Sequence, residues 1–166
     1  MKLIQIFIFT ICCSLTVSAA RPMVKPVGYE VETIEIPKGI TLGVGGMAFM
    51  DRTTMLICTR EGEVWKYNTK DGQWQLYADG LHESLGLWVD HKTSDVYVMQ
   101  RPELTRLVDT NKDGKADLYQ SINAGWGLTD NYHEYTFGPV RDSKGNFYGT
   151  LNTSLSWPGW AGSDKW

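Results

Sequence analysis

Cysteine is scarce in this chain, and its placement removes what little there is. Of three cysteines, Cys12 and Cys13 fall in an apolar leader, and Cys58 is left alone inside a short apolar run. No disulfide framework can form within the chain. Cys58 therefore reads as a small buried hydrophobe. An excess of positive charge is lacking too: 16 Lys+Arg stand against 19 Asp+Glu, a net charge of −3. Setting aside residues 1–20 removes Lys2 alone and leaves −4, from 15 basic and 19 acidic residues. A nucleic-acid partner would ask for a basic stripe, so that class is excluded. No long helical periodicity occurs, and no apolar run after the leader is long enough to span a membrane. Cys-x-x-Cys-His is absent, so any c-type haem lies outside this chain.

What is present begins with the leader. Lys2 precedes the apolar run Leu3 to Leu15, and Val17-Ser18-Ala19-Ala20 offers small residues at a cleavable spacing. Residues 1–20 are read as a secretory signal peptide, too short for a membrane helix. The expected location is periplasmic or secreted.

Beyond it the chain is a succession of short β-branched and aromatic runs bounded by Gly, Pro, Asn or Asp, the pattern of an antiparallel meander. The clearest unit spans residues 86–122: Gly86-Leu87-Trp88-Val89, Val96 to Gln100, Glu103 to Val108, and Leu118 to Ile122. A second copy spans 46–78, and a third begins over 137–152. Gly46, Gly86 and Gly138 stand 40 and 52 residues apart. A period near 40 with four strands per repeat is the signature of a propeller blade. Residues 29–36 alternate as a half-buried strand should, and such a strand closes the last blade of many propellers. The expected class is all-β: the N-terminal part of a six-bladed β-propeller with four-stranded antiparallel blades over residues 21–166. Propellers need about four to eight blades, so the chain is expected to be a fragment of a longer protein.

The strongest local motif is Asp109-x-Asn111-x-Asp113-Gly114-x-x-Asp117. Oxygen ligands at alternate positions of a tight loop can converge on calcium, with the Lys115 carbonyl as a further ligand. Gln120 stands where an EF-hand places its glutamate, so Asp117 would supply the bidentate carboxylate. The same residues also make an ordinary polar hairpin turn. The longest connector, residues 123–137, carries His133, and insertions on a rigid scaffold are where function tends to sit. A histidine there can act as a general base near neutral pH. Strand parity puts His133, Arg60 and Arg101 at one end of the strands. Asp51, Asp90, Asp142 and the Asp109 loop fall at the other. Arg60 and Arg101 occupy matching positions in successive units, which suits either anion binding or solvated caps on strand ends.

Ile36-Pro37-Lys38-Gly39, Thr59 to Trp65, Gly80-Leu81-His82-Glu83, Gln100 to Leu104, the Asp109 loop and His133 to Pro139 follow in an order that carries a family resemblance. Together they resemble the N-terminal half of the sorbosone/glucose dehydrogenase-like propellers, related to soluble quinoprotein dehydrogenases. These are secreted or periplasmic bacterial proteins, abundant in planctomycetes and often fused to a c-type haem domain. The resemblance implies oxidation of a sugar or aldehyde with pyrroloquinoline quinone and calcium, and a downstream c-type cytochrome domain as partner. It places His133 as the base and Arg60 and Arg101 among the residues that hold the quinone. The rival reading is a non-catalytic secreted propeller that binds carbohydrate or a protein, with Trp126, Trp157 and Trp160 as stacking platforms.

Overall fold

The computed structural model describes residues 28–126 and 133–152. The chain divides into two compact units, Met1–Thr33 and Ile34–Trp166. Residues 1–20, expected as a signal peptide, and Trp157 and Trp160 lie outside the described residues. The described part of the first unit, residues 28–33, is exposed and carries no strand.

The described residues of the second unit form ten short strands. They are β1 (Val44–Phe49), β2 (Thr54–Thr59), β3 (Val64–Asn68), β4 (Trp74–Ala78), β5 (Leu87–Val89), β6 (Val96–Gln100), β7 (Glu103–Val108), β8 (Leu118–Asn123), β9 (Thr136–Arg141) and β10 (Phe147–Leu151). They form two four-stranded sheets, β1-β2-β3-β4 and β5-β6-β7-β8, and a two-stranded β9-β10 sheet. Every pairing is antiparallel between sequence neighbours.

Turn chemistry explains why the chain reverses where it does. Asp51 Oδ1 accepts from the amides of Thr53 (2.7 Å) and Thr54 (2.8 Å) between β1 and β2. Asp90 Oδ1 accepts from Lys92 N at 3.0 Å between β5 and β6. Asp142 Oδ1 accepts from Lys144 (2.9 Å) and Asn146 (2.8 Å) between β9 and β10. An aspartate that binds the amides two or more residues on replaces a backbone turn bond, so the same device closes the first hairpin of each sheet.

Burial follows the strands' places in the sheets. All five residues of β6 are buried, because it lies between β5 and β7 with both faces covered. Leu56, Cys58, Val64 and Tyr77 of the first sheet pack with Leu87, Val89, Val96, Val98 and Leu107 of the second in one core. Each fully buried Val or Leu there contributes roughly 1.5–3 kcal/mol. A smaller core of Tyr97, Met99 and Leu104 joins the second sheet to Phe147 of β10, with Trp88 and Trp126 packed on it.

The three repeating glycines stand where first strands meet. A Cβ on Gly46 would come within 2.6 Å of Gly86 Cα. One on Gly86, whose φ is +147, would collide with the Gly138 carbonyl. The backbones approach too closely there for any side chain, so glycine is required.

The fold is all-β, with small antiparallel sheets. The expected six-bladed propeller is not seen: the described residues form three sheets and no closed ring. Residues 29–36 form no strand, and Tyr29, Val31, Ile34 and Ile36 are exposed. Their alternation is real, but among the described residues no strand pairs with them.

Candidate functional site

Arg60 and Arg101 follow β2 and β6, and equivalent backbone bonds fix each: Arg60 N donates to Gly43 O at 2.8 Å, Arg101 N to His82 O at 3.0 Å. Their guanidinium groups converge on Glu83, one on each carboxylate oxygen, at 3.2 Å for Arg60 and 3.0 Å for Arg101. Both also lie over the Tyr135 ring, 5.6 and 5.9 Å from its centre. Glu83 adopts a left-handed backbone (φ +49), uncommon for a side chain that long, and the two arginines hold it there. Arg101 Nε reaches the Glu134 carbonyl at 2.9 Å. His133 begins this segment, and its carbonyl accepts from Asn152 Nδ2 at 3.0 Å. The structure thus gathers Arg60, Arg101 and the stretch after His133 at one end of the strands, around a carboxylate the sequence had not singled out.

The Asp109–Asp117 loop uses its oxygens on itself. Asp109 accepts from the amides of Asp113 (3.2 Å) and Gly114 (2.9 Å). Asn111 Oδ1 accepts from Asp113 N at 3.0 Å, and Asp113 Oδ1 from Lys115 N at 2.9 Å. Asp117 takes the amide and hydroxyl of Thr110, at 2.9 and 2.8 Å. The Thr110 amide bond, followed by its hydroxyl, holds the Asp117 carboxyl below the usual carboxylate range. Among the described residues no group of three or more His, Cys, Asp or Glu side chains is placed to hold a metal ion. The calcium expected at Asp109, Asn111, Asp113, Lys115 and Asp117 is corrected accordingly: the loop is a network of aspartate turns.

Among the described residues, two cavities border the Asp109 end of the sheets. The first, about 340 Å³, lies between the four-stranded sheets and is lined by Lys66, Tyr77, Thr93, Asp95, Asp109 and Lys112 among others. Lys66 on β3 extends across to the Asp109 loop, where its Nζ donates to the Gly114 carbonyl at 2.8 Å and lies 4.4 Å from the centre of the Tyr77 ring. Burial lowers the Lys66 pKa, against the pull of Asp109, Asp113 and Asp51. The second cavity is an open basin of about 530 Å³ bordered by Trp88, Asp90, Lys92, Arg141, Asp142 and Lys144 among others. Arg141 lies over three rings, 5.2 Å from the centre of Trp88, 5.8 Å from Tyr97 and 5.0 Å from Phe147, and pairs with Asp90 at 3.0 Å. Asp142 is held down to about 2, chiefly by the Asn146 side chain and amide.

Lys66, Trp88 and Arg141 were not singled out in the sequence. Lys66 left one signal, a lone charge inside the run Val64-Trp65-Lys66-Tyr67. Trp126, expected as a stacking platform, packs on the smaller core and donates Nε1 to the Arg101 carbonyl at 2.9 Å.

No family model matches the chain, and no solved structure matches it. Two curated proteins do. Over 140 residues, 75% of this chain and 42% of the relative, it is 30% identical to the glycine betaine-binding periplasmic protein OusX of Dickeya dadantii (strain 3937). Over 70 residues, 37% of this chain and 21% of the relative, it is 36% identical to the glycine betaine/proline betaine-binding periplasmic protein of Escherichia coli (strain K12). The chain spans less than half the length of either relative.

These relatives are binding proteins and not quinoprotein dehydrogenases, which overturns the dehydrogenase resemblance. The propeller, the oxidation of a sugar or aldehyde, and pyrroloquinoline quinone fall with it. Arg60 and Arg101 lose their expected quinone and have Glu83 between them. The base role expected of His133, from the connector, the end shared with Arg60 and Arg101 and the resemblance, loses the quinone oxidation it was to serve, and the haem-domain partner was implied by the resemblance alone. No helix among the described residues is long and apolar enough to cross a membrane. As expected from the sequence, and as the relatives bear out, the protein is periplasmic or secreted.

Proposed function

We propose that this chain belongs to a non-catalytic periplasmic binding protein that takes a small zwitterion of the betaine class. The observation that carries the reading is the likeness to the two betaine-binding periplasmic proteins, which replaces the sugar or aldehyde expected as ligand. The Trp88 basin supplies a place with suitable chemistry. A quaternary ammonium has no N–H to donate and is held by aromatic faces. That the aromatic nest beside the basin favours a cation is visible in Arg141, whose guanidinium rests over Trp88, Tyr97 and Phe147. A betaine carboxylate would meet Lys92 and Lys144 on the same rim.

Calorimetric titration with glycine betaine, proline betaine and glucose tests the reading. Saturable one-to-one binding of a betaine, with none of glucose, is the expected result. Binding of glucose alone, or of none of the three, would overturn it.

A further inference from the structure

We propose that the cleft between the two four-stranded sheets is a second binding site, for a small carboxylate held by Lys66. This rests on the cleft itself and is independent of the betaine reading at Trp88. Of the carboxylates in the wall, Asp95 is covered by Arg106, whose Nη2 and Nε lie 2.7 and 2.9 Å from Asp95 Oδ2. Asp109 is covered by the amides of Asp113 and Gly114.

Lys66 has no such match. Among the described residues no carboxylate oxygen lies within 4.0 Å of its ammonium. A carbonyl and a ring face are its contacts, and an ammonium has three protons to give. Lys112, Thr93 and Ser94 line the same cleft and bring further donors to it. Asp109, Asp113 and Asp51 act on this half-buried ammonium only from beyond 4.0 Å and do not offset its burial, so an anion that enters beside it removes part of that cost. Met50 and Val108 in the wall suit a short apolar tail. The volume, about 340 Å³, limits the ligand to a small molecule.

The probe is sodium acetate, with sodium chloride at equal ionic strength as reference. Side-chain NMR of the lysines in the wild-type protein reads the site directly, whatever the variants do. The expected result is a saturable shift of the Lys66 Cε–Hε resonance with a Kd of the order of millimolar, while exposed Lys38 and Lys70 stay unmoved. Lys66→Met should abolish the acetate-dependent rise in Tm, and Lys66→Arg should keep it, with affinity within about tenfold. No shift at Lys66, or an equal shift at every lysine, would overturn the proposal. So would an undiminished Tm rise in Lys66→Met.

Discussion

Arg141 and Lys66 each rest on an aromatic face, and the two cations are completed differently. Arg141 lies over three rings and also has Asp90 at 3.0 Å. Lys66 lies over Tyr77 alone, has a carbonyl in place of a carboxylate, and looks into a cleft. Arg141 itself is fully matched: it fastens the β9-β10 hairpin to the second sheet, so a substitution of it acts on stability first, while the basin beside it stays open. The Lys66 arrangement is open, and a substitution there acts on what can enter.

The contrast depends on a frame that keeps the sheets at fixed spacing, and the largest effect comes from breaking that frame. In Gly86→Ala the new methyl meets the Gly138 carbonyl at a φ of +147. A loss of about 3 kcal/mol in urea unfolding is expected. An unchanged midpoint would show that the first strands do not depend on this approach.

Next is the clasp. Arg141→Ala uncovers three rings and should cost roughly 2 kcal/mol, the upper range for a desolvated cation over aromatic faces. Arg141→Lys should recover part of this, because a point charge still meets the rings but loses the planar fork. Equal losses for the two variants would mean that packing of the side-chain stem matters and the cation does not.

Acid provides a gentler perturbation, since the groups concerned face solvent. Asp51 is held down to about 2, mainly by the Thr53 and Thr54 amides, and Asp142 to about 2 by Asn146. A carboxyl whose folded pKa is depressed contributes stability above its unfolded value near 4, lost as pH falls toward the folded value. Urea midpoints should hold level above about pH 4 and decline between about pH 4 and 2. Asp51→Asn with Asp142→Asn should flatten that decline.

The smallest effect is expected at the open cation. Lys66→Met removes an ammonium that burial disfavours and keeps most of the stem, so stability should stay within about 1 kcal/mol. A loss as large as that of Arg141→Ala would erase the distinction between clasp and opening.

How much of this the sequence discloses varies with how local the cause is. Strands such as Val96–Gln100 are legible, because a fully covered strand is a continuous apolar run. The turn aspartates are legible for the same local reason. The Asp109 loop is legible as a loop and misleading as a site: alternate oxygens look the same whether they turn to a cation or to their own amides. Matching positions brought Arg60 and Arg101 to one end, but Glu83 between them sits in a connector with no periodicity to betray it. Closure into a ring was inferred from four-stranded repeats, a pattern that two stacked meanders already satisfy. Cavities made by Lys66, or by Trp88 beside Arg141, join residues some fifty positions apart, and no local spacing announces them.

The betaine reading is tested most directly at the Trp88 indole. Glycine betaine would be titrated into 15N-labelled protein while the seven tryptophan Nε1–H resonances are followed, with Trp88 assigned through Trp88→Phe. The expected result is a saturable shift of the Trp88 resonance at the concentrations where calorimetry detects binding, with Trp65 and Trp74 on the first sheet unmoved. A Trp88 resonance that stays fixed through saturation would contradict it.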